Sequence, residues 1–563
     1  MKIEAHHAND ATRIVDTLYS PATAVADESP RRTRISLLTV LLVAGVFAGY
    51  SLLHVPVPGV NEPHYLCKAR ATWDSDWCAN DFFLKSKSAH SVFFDSVGYF
   101  TQFWSLATVA VAGRILSSIV LAWGWTALAA AFRLNRGATV VAAALLAGIA
   151  LTGNLSGEWI LGGFESKVPS WGLGFAGIAC WLNSANSVVA ANWHRWLKTG
   201  LLLGLSTAAH PVVGAWFLIA ISMSELALLY EPLQKRIQPG IAGRSWKSVG
   251  SQLVLLNGTA LIAALPGLVP ALQVVADSSL SDWDRATANR IQVFMRLSHH
   301  LDPSRFPPSA WIHSIVLLIV IGYCSWRLCK DDQQLVLRRH LLLLCSAIVI
   351  AATGIAIGAH NGPVLHLPQW SWRAFLLKFY PFRLVDTLLP VTVAFTVAIL
   401  VTRSLAKYPD RLSPVLRRLA GAGLIATVLA ASYGLRQDSP SGYPKEHYSE
   451  WKNACAWIRD NTPQDSLFVT PREAVAFKWY AERAEFVAYK DCPQDGAGIL
   501  EWRQRLRDLG WMRPIQLQRS LKPSDLTWMH GHMQMTHLIT RDHVVAGQDP
   551  IYENSVWRIY DLP

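Results

Sequence analysis

The chain has 563 residues, of which 52% are hydrophobic and 16% are charged, and its formal net charge is +12. Soluble domains carry about 25% charged residues, so this composition, with a mean hydropathy of +0.24, is that of a polytopic membrane protein. The basic residues stand in short clusters between apolar runs, which is the positive-inside pattern. The sequence has no basic face interleaved with aromatic residues, which excludes nucleic acid as a partner.

The N-terminal sequence predicts a cytoplasmic tail followed by an uncleaved first span. Residues 1–34 are polar, and we expect them to be disordered and cytoplasmic. The apolar run 35–53 follows directly and is nearly long enough to cross a bilayer. The polar segment before this run is long and no small-residue cleavage site is clear, which argues against a signal peptide.

Hydropathy and basic loops predict a transmembrane module from residue 35 to residue 435, with about eleven spans. An odd number of spans places the N-terminus inside and the C-terminus outside, and the basic clusters then fall on the cytoplasmic side. The His210-Pro211 step breaks the short pair of helices in the middle of the chain, and freed backbone groups there must line a cavity or contact protein. The predicted spans lie near 35–53, 104–131, 137–152, 171–190, two short helices between 198 and 230, 250–276, 309–327, 340–358, 384–402 and 416–435.

Charged and aromatic residues increase from residue 436 to residue 563, and no spanning run occurs there. We therefore predict an extracytoplasmic α/β domain in this segment. The spacing of apolar residues favours helices at 448–461 and 498–509. Short β-rich runs predict strands at 466–470, 536–540 and 555–560.

The loop after the first span, residues 55–103, is too polar to cross a bilayer and too aromatic to be a plain linker. It opens with the motif NEPHYL at Asn61, and the chain ends in a region with the phrases WIRDNTPQDSLFVTP, YAERAEFVAYKD and IYENSVWRIYDL. Together with the many-span body, these features resemble the C-superfamily of membrane glycosyltransferases (GT-C), in an uncharacterised bacterial branch. In that family the first outside loop usually carries a pair of carboxylates, and here Asn61 takes the first position and leaves Glu62 alone.

The resemblance implies a helical polytopic fold and transfer of a sugar from a polyprenyl-phosphate donor to an extracytoplasmic lipid or glycan acceptor. It also implies a bacterial inner-membrane location. Two other functions remain open, a non-catalytic scaffold or sensor of the same fold and a lipid or solute transporter. Transporters often contain inverted repeats and midplane charges, whereas this sequence shows no internal repeat and concentrates its charges in the outside loops.

Glu62 and Asp81 are the candidates for the catalytic base. Sugar transfer to a hydroxyl requires a base, and a carboxylate partly desolvated against apolar spans suits that role. If Glu62 is the base, Glu62→Gln is expected to keep the fold and remove most of the transfer. The alternative is that Glu62 serves the start of a helix near Pro63, where an acid favours the helix dipole.

A D-x-D pair formed by Asp74 and Asp76 could hold a divalent cation between hard oxygens. Such pairs are common in solvated loops, so the sequence leaves this cofactor open. No other metal ligand set is predicted, apart from zinc as the alternative to disulfides at the cysteines.

Substrate-binding residues are expected in the outside loops, because a phosphate-linked donor needs cations near the membrane surface. Arginine suits phosphate through its planar, bidentate geometry. Arg383 has an alternative role as a snorkelling residue paired with Asp386. The histidines and the Glu–Lys pair of these loops have ordinary surface roles as alternatives. The predicted binding residues are Asn61, His64, Tyr65, Glu165, Lys167, His299, His300, Arg373 and Arg383.

Four of the eight cysteines fall in predicted outside regions, where the compartment is oxidising. We predict one disulfide in each region, Cys67 with Cys78 and Cys455 with Cys492. A zinc site is the alternative, although the spacing matches no closed zinc motif. The histidines that it would use are His64, His530, His532 and His537.

Arg114 and Glu225 fall inside predicted spans. A charge at that depth costs a few kcal/mol or more unless it is paired. We therefore expect each of them to have a partner or a function.

Overall fold

The structure is a computed structural model. It describes residues 35–184, 193–238, 245–276, 279–329, 335–408, 413–440, 442–472, 475–510, 521–541 and 544–563. The predicted disordered tail, residues 1–34, lies outside the described residues. Residues Ser36–Pro563 form one compact unit, so the apolar helices and the C-terminal region pack together.

Helices occur at each of the predicted span positions and also in the loops between them. The helices are α1 (Leu37–His54), α2 (Glu62–Trp73), α3 (Phe82–Lys85), α4 (Ser91–Thr101), α5 (Leu106–Ala131), α6 (Arg136–Ala150), α7 (Lys167–Ser184), α8 (Trp193–Ala209), α9 (Pro211–Ala227), α10 (Glu231–Ile237), α11 (Trp246–Val275), α12 (Asp282–Ile291), α13 (Ser298–Leu301), α14 (Pro308–Leu328), α15 (Leu335–Gly358), α16 (Trp370–Leu377), α17 (Arg383–Lys407), α18 (Pro414–Gly434), α19 (Lys445–Asn461), α20 (Phe477–Ala481), α21 (Gly496–Asp508) and α22 (Pro523–Met533).

Seven of the described helices are long and apolar enough to cross a membrane. The number rises to eight if α9 and α10, which meet at 107°, form one broken span. This confirms the predicted helical, multi-pass fold class. The other predicted spans correspond to α6, α7, α8 and α9, which have 15, 18, 17 and 17 residues. The chain breaks at His210 between α8 and α9, as the His210-Pro211 step predicts.

Small residues let several helices approach closely. A Cβ atom added to Gly124 of α5 would lie 1.9 Å from the carbonyl oxygen of Gly172 in α7. Gly200 and Gly204 of α8 face the backbone of α11 in the same way. Such contacts are typical of helix pairs in membranes, where close packing replaces the hydrophobic drive for association.

The C-terminal region contains a mixed five-stranded sheet with the order β2-β1-β3-β5-β4. β1 pairs in parallel with β2 and β3, whereas β5 pairs antiparallel with β3 and β4. Three of the strands lie where the sequence predicts them. The strands are β1 (Leu467–Val469), β2 (Ala484–Glu485), β3 (His537–Thr540), β4 (Tyr552–Glu553) and β5 (Arg558–Asp561).

The two faces of this sheet bury different apolar clusters. On one face, Phe468 packs in a cluster with Trp451 of α19 and with Trp557. The opposite face, with Leu467 and Val469, packs in one cluster with α21 and with residues of the 55–103 loop. The 55–103 loop therefore lies between the long helices and the sheet, and it brings their polar residues together.

Both charges predicted inside spans have partners. Arg114 of α5 pairs with Glu62 of α2 at 2.7 Å. Glu225 of α9 pairs with Arg339 of α15 and accepts a hydrogen bond from Trp181 Nε1 at 2.7 Å. Pairing removes most of the penalty for burying these charges.

Candidate functional site

Glu62 opens helix α2, whose first turn contains Pro63, and is fully buried. Its Oε1 accepts hydrogen bonds from Arg114 Nε at 2.7 Å and Phe164 N at 2.6 Å. Its Oε2 accepts from Arg114 Nη2 at 2.7 Å and Gly59 N at 2.6 Å. Each oxygen thus has two donors, so the carboxylate has little capacity left to take a proton from an acceptor. The helix that the sequence predicts at Pro63 is present.

Arg114 is as fully occupied as its partner. Its remaining guanidinium hydrogens point at the carbonyl oxygens of Ser51, Val55 and Pro56, which lie at the end of α1 and just after it. The pair therefore holds α5 against the end of α1 and the start of the 55–103 loop. A carboxylate with this environment has the geometry of a structural group, and the role of Glu62 as a catalytic base stays a prediction.

Asp81 is buried and caps helix α3, where its Oδ1 accepts from Leu84 N at 3.0 Å. Its Oδ2 accepts from Glu485 N at 3.0 Å and lies 3.2 Å from Lys478 Nζ. Asp81 therefore faces the C-terminal region. Its role as a base also stays a prediction.

Lys478 is the centre of a buried cluster between the 55–103 loop and the C-terminal region. Its Nζ lies 3.2 Å from Asp81, 2.6 Å from Glu485 and 2.7 Å from Asp491. Burial opposes its charge, but Asp491 and the other two carboxylates hold the pKa of Lys478 well above its usual value. The predicted binding residue His64 joins the cluster through Nδ1, 2.9 Å from Asp491 Oδ1.

The same contacts decide the ionisation of Asp491. Burial alone would raise the pKa of this carboxyl, but the Lys478 ammonium and the His64 hydrogen bond hold it below the usual range. The space beside this cluster is about 10 Å³, comparable to a single water molecule. The cluster therefore joins two parts of the chain and leaves no room for a sugar.

The D-x-D pair lies in a turn at the end of α2. Asp74 Oδ1 accepts a hydrogen bond from Trp77 N at 3.2 Å, and Asp76 is exposed. Among the residues that the structure describes, no group of three or more His, Cys, Asp or Glu side chains could hold a metal ion. The cation at Asp74 and Asp76 stays a prediction.

A cavity of about 760 Å³, here called the main cavity, opens between the long helices and the C-terminal region. One part is apolar and is formed by α9, α11 and α15. The other part is polar. The apolar part includes Val212, Ile219, Met223, Leu268, Leu272 and Ile350, and the polar part includes Tyr65, His90, His210, Arg285, Asn289, Lys378, Arg383 and Gln494. None of the described lining residues is an Asp or a Glu.

Arg383 begins helix α17 at the polar part of the main cavity. Its Nε lies 2.8 Å from Glu158 Oε2, but the N–H is not directed at that oxygen, so the contact is an ion pair without a hydrogen bond. Its Nη1 lies 3.2 Å from His210 Nε2. The alternative partner, Asp386, accepts instead from the backbone N–H groups of residues 155 and 156. The predicted Arg383–Asp386 pair is therefore replaced by Arg383–Glu158.

A chain of polar contacts runs from the Arg383 pair to the C-terminal region. Lys167 Nζ lies 3.4 Å from Glu158 and 3.1 Å from Glu165. Asn61 Nδ2 donates to Glu165 at 3.2 Å, and Asn61 Oδ1 accepts from Lys490 Nζ at 2.7 Å. Three predicted binding residues, Asn61, Glu165 and Lys167, thus come together beside Arg383.

Tyr65, another predicted binding residue, lines the main cavity. Burial, and to a lesser extent the negative charge of Glu165, raises the pKa of its phenol well above the usual value. His90 lines the same wall, and its ring centroid is 4.8 Å from that of His210. Burial lowers the pKa of His90 to about 3, so this imidazole is neutral.

His299, His300 and Arg373 lie outside the lining of the main cavity. The two histidine rings are tilted by 43° with centroids 4.0 Å apart, and His300 Nδ1 contacts the carbonyl oxygen of Ser156. Arg373 donates to the carbonyl oxygens of Ile357 at 2.7 Å and Pro368 at 3.1 Å. These contacts hold loops in place, and a substrate-binding role for these three residues stays a prediction.

Several residues of the polar part were absent from the predicted set. His90 and Gln494 enter through tertiary contacts that no local pattern indicates, since Ala89 N of the 55–103 loop donates to Gln494 Oε1 of the C-terminal region at 2.7 Å. Glu158, beside the lining, stands in a predicted outside loop together with the predicted residues Glu165 and Lys167. The charge content of that loop is the signal that could have found it.

The predicted disulfides are absent, since all eight cysteines are free. Cys455 is buried on the α19 face of the sheet, whereas Cys492 packs at the edge of the cluster on the other face. The sheet therefore separates the second predicted pair. Cys67 and Cys78 are both buried in one apolar cluster, where burial raises the pKa of each thiol and keeps it protonated.

One family model matches part of the C-terminal region. A family model described as a domain of unknown function, DUF6798, matches residues 449–509. That segment contains Lys478, Lys490 and Gln494, which contact the 55–103 loop. No match was found among curated proteins.

Two solved structures share a general likeness with the chain. The apo oligosaccharyltransferase of Archaeoglobus fulgidus is 13% identical, with a TM-score of 0.46, and the match covers 90% of this chain and 69% of that chain. The oligosaccharyltransferase AglB of the same organism, in complex with an inhibitory peptide and a dolichol-phosphate, is 12% identical, with a TM-score of 0.41 and the same coverage of each chain. Neither likeness is close enough to assign a function to this chain.

Proposed function

We propose that this protein is a multi-pass membrane glycosyltransferase-like protein that binds a polyprenyl-phosphate-linked sugar in the main cavity and transfers the sugar to a lipid or glycan acceptor. The observation that carries the proposal is the composition of the cavity. An apolar part formed by spanning helices continues into a polar part with Arg285, Lys378 and Arg383, without a carboxylate among the described lining residues.

The apolar part suits an isoprenoid tail. It is formed by α9, α11 and α15, and the last two are candidate spans, so a lipid tail can enter from the bilayer. Burying apolar surface contributes about 25 cal/mol per Å². A long tail therefore supplies most of the affinity, while the head fixes its orientation.

The polar part suits the phosphate of such a lipid. Arg383 lines this part of the cavity as a cation, with Glu158 and His210 as described neighbours of its guanidinium. A phosphate oxygen placed there would receive a charge-assisted hydrogen bond, which is stronger than a neutral one. Tyr65 and the neutral His90 lie on the same wall and supply further polar contacts.

Transfer also requires a base, and the two predicted bases are already occupied. Glu165 is the better-placed carboxylate. It is buried beside Tyr65, and its contacts with Asn61 Nδ2 are long, at 3.2 and 3.3 Å. The proposal therefore assigns the base role to Glu165, with Lys167 and Asn61 as positioning residues.

Transfer from a polyprenyl-phosphate sugar to a glycan acceptor, with purified protein in lipid nanodiscs, tests the proposal. Glu165→Gln is expected to lower the rate by about 10²–10⁴-fold, the usual contribution of a positioned acid–base group. Arg383→Ala is expected to weaken binding of the lipid phosphate. Arg305→Ala, which removes an exposed arginine, is the matched control and is expected to behave like the parent. A parent protein that binds no polyprenyl phosphate would overturn the proposal.

A second candidate function is a non-catalytic protein that binds the same lipid. The full occupation of Glu62 and Asp81 favours it, because both carboxylates then serve the fold alone. In that case the parent binds polyprenyl phosphate, Arg383→Ala abolishes the binding, and no acceptor is glycosylated. The same assay therefore separates the two functions.

A further inference from the structure

Lys378, which follows helix α16, lines the main cavity and has no carboxylate partner among the described residues. Its Nζ donates to Asn289 Oδ1 at 3.1 Å. The rings of Phe375 and Phe379 lie 4.9 and 5.7 Å from the same nitrogen. One neutral acceptor and two aromatic faces leave the ammonium with hydrogens to donate and with its charge uncompensated.

The charge described beside Lys378 is positive. Burial, and to a lesser extent the Arg285 guanidinium, lowers the pKa of Lys378 to about 8. Arg285 itself has a weak carboxylate contact, 3.7 Å from the exposed Asp282. Two cations thus face one cavity, and an anion placed between them would relieve their repulsion and receive charge-assisted hydrogen bonds.

This pair is separate from Arg383, although all three residues line the main cavity. Arg383 contacts Glu158 and His210, which belong to the segment before α7 and to the start of α9. Lys378 and Arg285 instead meet at α12, where Asn289 lies one turn after Arg285. The cavity therefore offers positive charge at two places with different neighbours.

We infer that Lys378, Arg285 and Asn289 form a second anion subsite, which binds a second anionic group of the lipid donor in addition to the phosphate at Arg383. This inference rests on the proposed function. Two kinds of sugar-donor lipid have two anionic groups, a lipid diphosphate and a lipid monophosphate linked to an acidic sugar. In both, a tail in the apolar part of the cavity would direct one anion to each cationic place.

Binding of four lipids to purified protein in nanodiscs of uncharged phospholipid tests the inference. Three of the lipids have equal chain length: polyprenyl monophosphate, polyprenyl diphosphate and polyprenyl monophosphate linked to a uronic acid. The fourth is an anionic phospholipid. The parent is expected to bind one of the two doubly anionic lipids about 10-fold or more tightly than the monophosphate. The free energy of one hydrogen bond to a charged group corresponds to about that change in affinity. The preferred lipid identifies the source of the second anion.

Lys378→Gln is expected to remove this preference, because the second anion loses its ammonium partner while Arg383 is untouched. Lys378→Arg keeps the charge and is expected to retain the preference, which controls for a general loss of folding. An unchanged preference in Lys378→Gln, or no preference in the parent, would overturn the subsite. Stronger binding of the anionic phospholipid than of either doubly anionic polyprenyl lipid would also overturn it. A parent that binds no polyprenyl lipid at all would instead overturn the proposed function.

Discussion

Two buried Arg–Glu pairs join loops to spanning helices, and they differ in how completely they are satisfied. In the first, both oxygens of Glu62 have two donors each, and Arg114 donates to three further carbonyl oxygens. In the second, Glu158 and Arg383 touch at 2.8 Å, but neither Arg383 Nε nor Glu158 Oε1 has an aligned hydrogen bond among the described residues. The first pair, Arg114–Glu62, is the closed pair because its hydrogen bonds are complete. The second, Arg383–Glu158, is the open pair because it borders a cavity.

The difference shows that position in a motif does not decide the role of an acid. Glu62 stands beside a proline in an aromatic loop, where the sequence predicts a base, yet its hydrogen bonds belong to the fold. No sequence pattern singles out Glu158, yet it belongs to the cluster beside the main cavity. Spare hydrogen-bonding capacity next to a cavity is the physical property that distinguishes a binding group from a structural one.

The largest effect is expected from breaking the closed pair. Glu62→Gln replaces one carboxylate oxygen by an NH₂ group, which in either orientation faces two donors. It also leaves Arg114 buried without a counter-charge, so we expect a loss of about 3–5 kcal/mol of stability. Thermal unfolding in detergent, followed by size-exclusion recovery, measures it.

The matched control for Glu62→Gln is Glu231→Gln. Glu231 pairs with Lys235 on an exposed helix, and exposed pairs contribute little, so the control is expected to unfold like the parent. The sequence alone predicts that Glu62→Gln keeps the fold, whereas the hydrogen bonds of Glu62 predict that this change destabilises it. A Glu62→Gln protein that is as stable as the parent but inactive in transfer would restore Glu62 as the base.

Low pH is expected to decrease the stability of the fold near the open pair, where His300 lies. Burial, with smaller effects of the adjacent His299 and of the cations Lys167 and Arg383, lowers the pKa of His300 from 6.5 to about 3. The unfolded chain therefore binds protons first as the pH falls below 6.5, and stability decreases from that pH down to about 3. At pH 5 the loss is about 2 kcal/mol for this histidine.

Unfolding temperatures between pH 7.5 and pH 5 check the prediction. His300→Gln is expected to show a smaller loss between these two values, because glutamine does not titrate. His90, which also has a pKa lowered to about 3, keeps part of the dependence in that variant. Parallel pH curves for the parent and His300→Gln would contradict the assignment of a neutral, buried His300.

The smallest effect on stability is expected from the open pair itself. Glu158→Gln should cost about 1 kcal/mol, because Arg383 keeps its contact with His210 and borders a cavity that water can enter. The same change removes a negative charge beside the polar part of the cavity, so binding of polyprenyl phosphate should tighten about threefold to tenfold. Weaker binding in Glu158→Gln would show that Glu158 contacts the ligand directly or orients Arg383.

The sequence by itself determined the multi-pass helical class, because apolar length and the placement of basic clusters are local properties. It also located the helix at Pro63, the break at His210-Pro211 and three strands of the C-terminal sheet, since each follows from spacing, proline chemistry or short β-rich runs. The need of Arg114 and Glu225 for partners was equally readable, because an unpaired charge at that depth is costly.

Only the tertiary structure decided which groups are free to act. The donors on Glu62 come from Gly59, Arg114 and Phe164, and those on Asp81 come partly from the C-terminal region, so no local pattern shows that either is saturated. The sheet that separates Cys455 from Cys492 is likewise a product of strand pairing across the chain. Lys378 and Arg383 became cavity residues because helices distant in sequence enclose the space beside them, and hydrogen-bond saturation and enclosure exist only once those distant segments have packed.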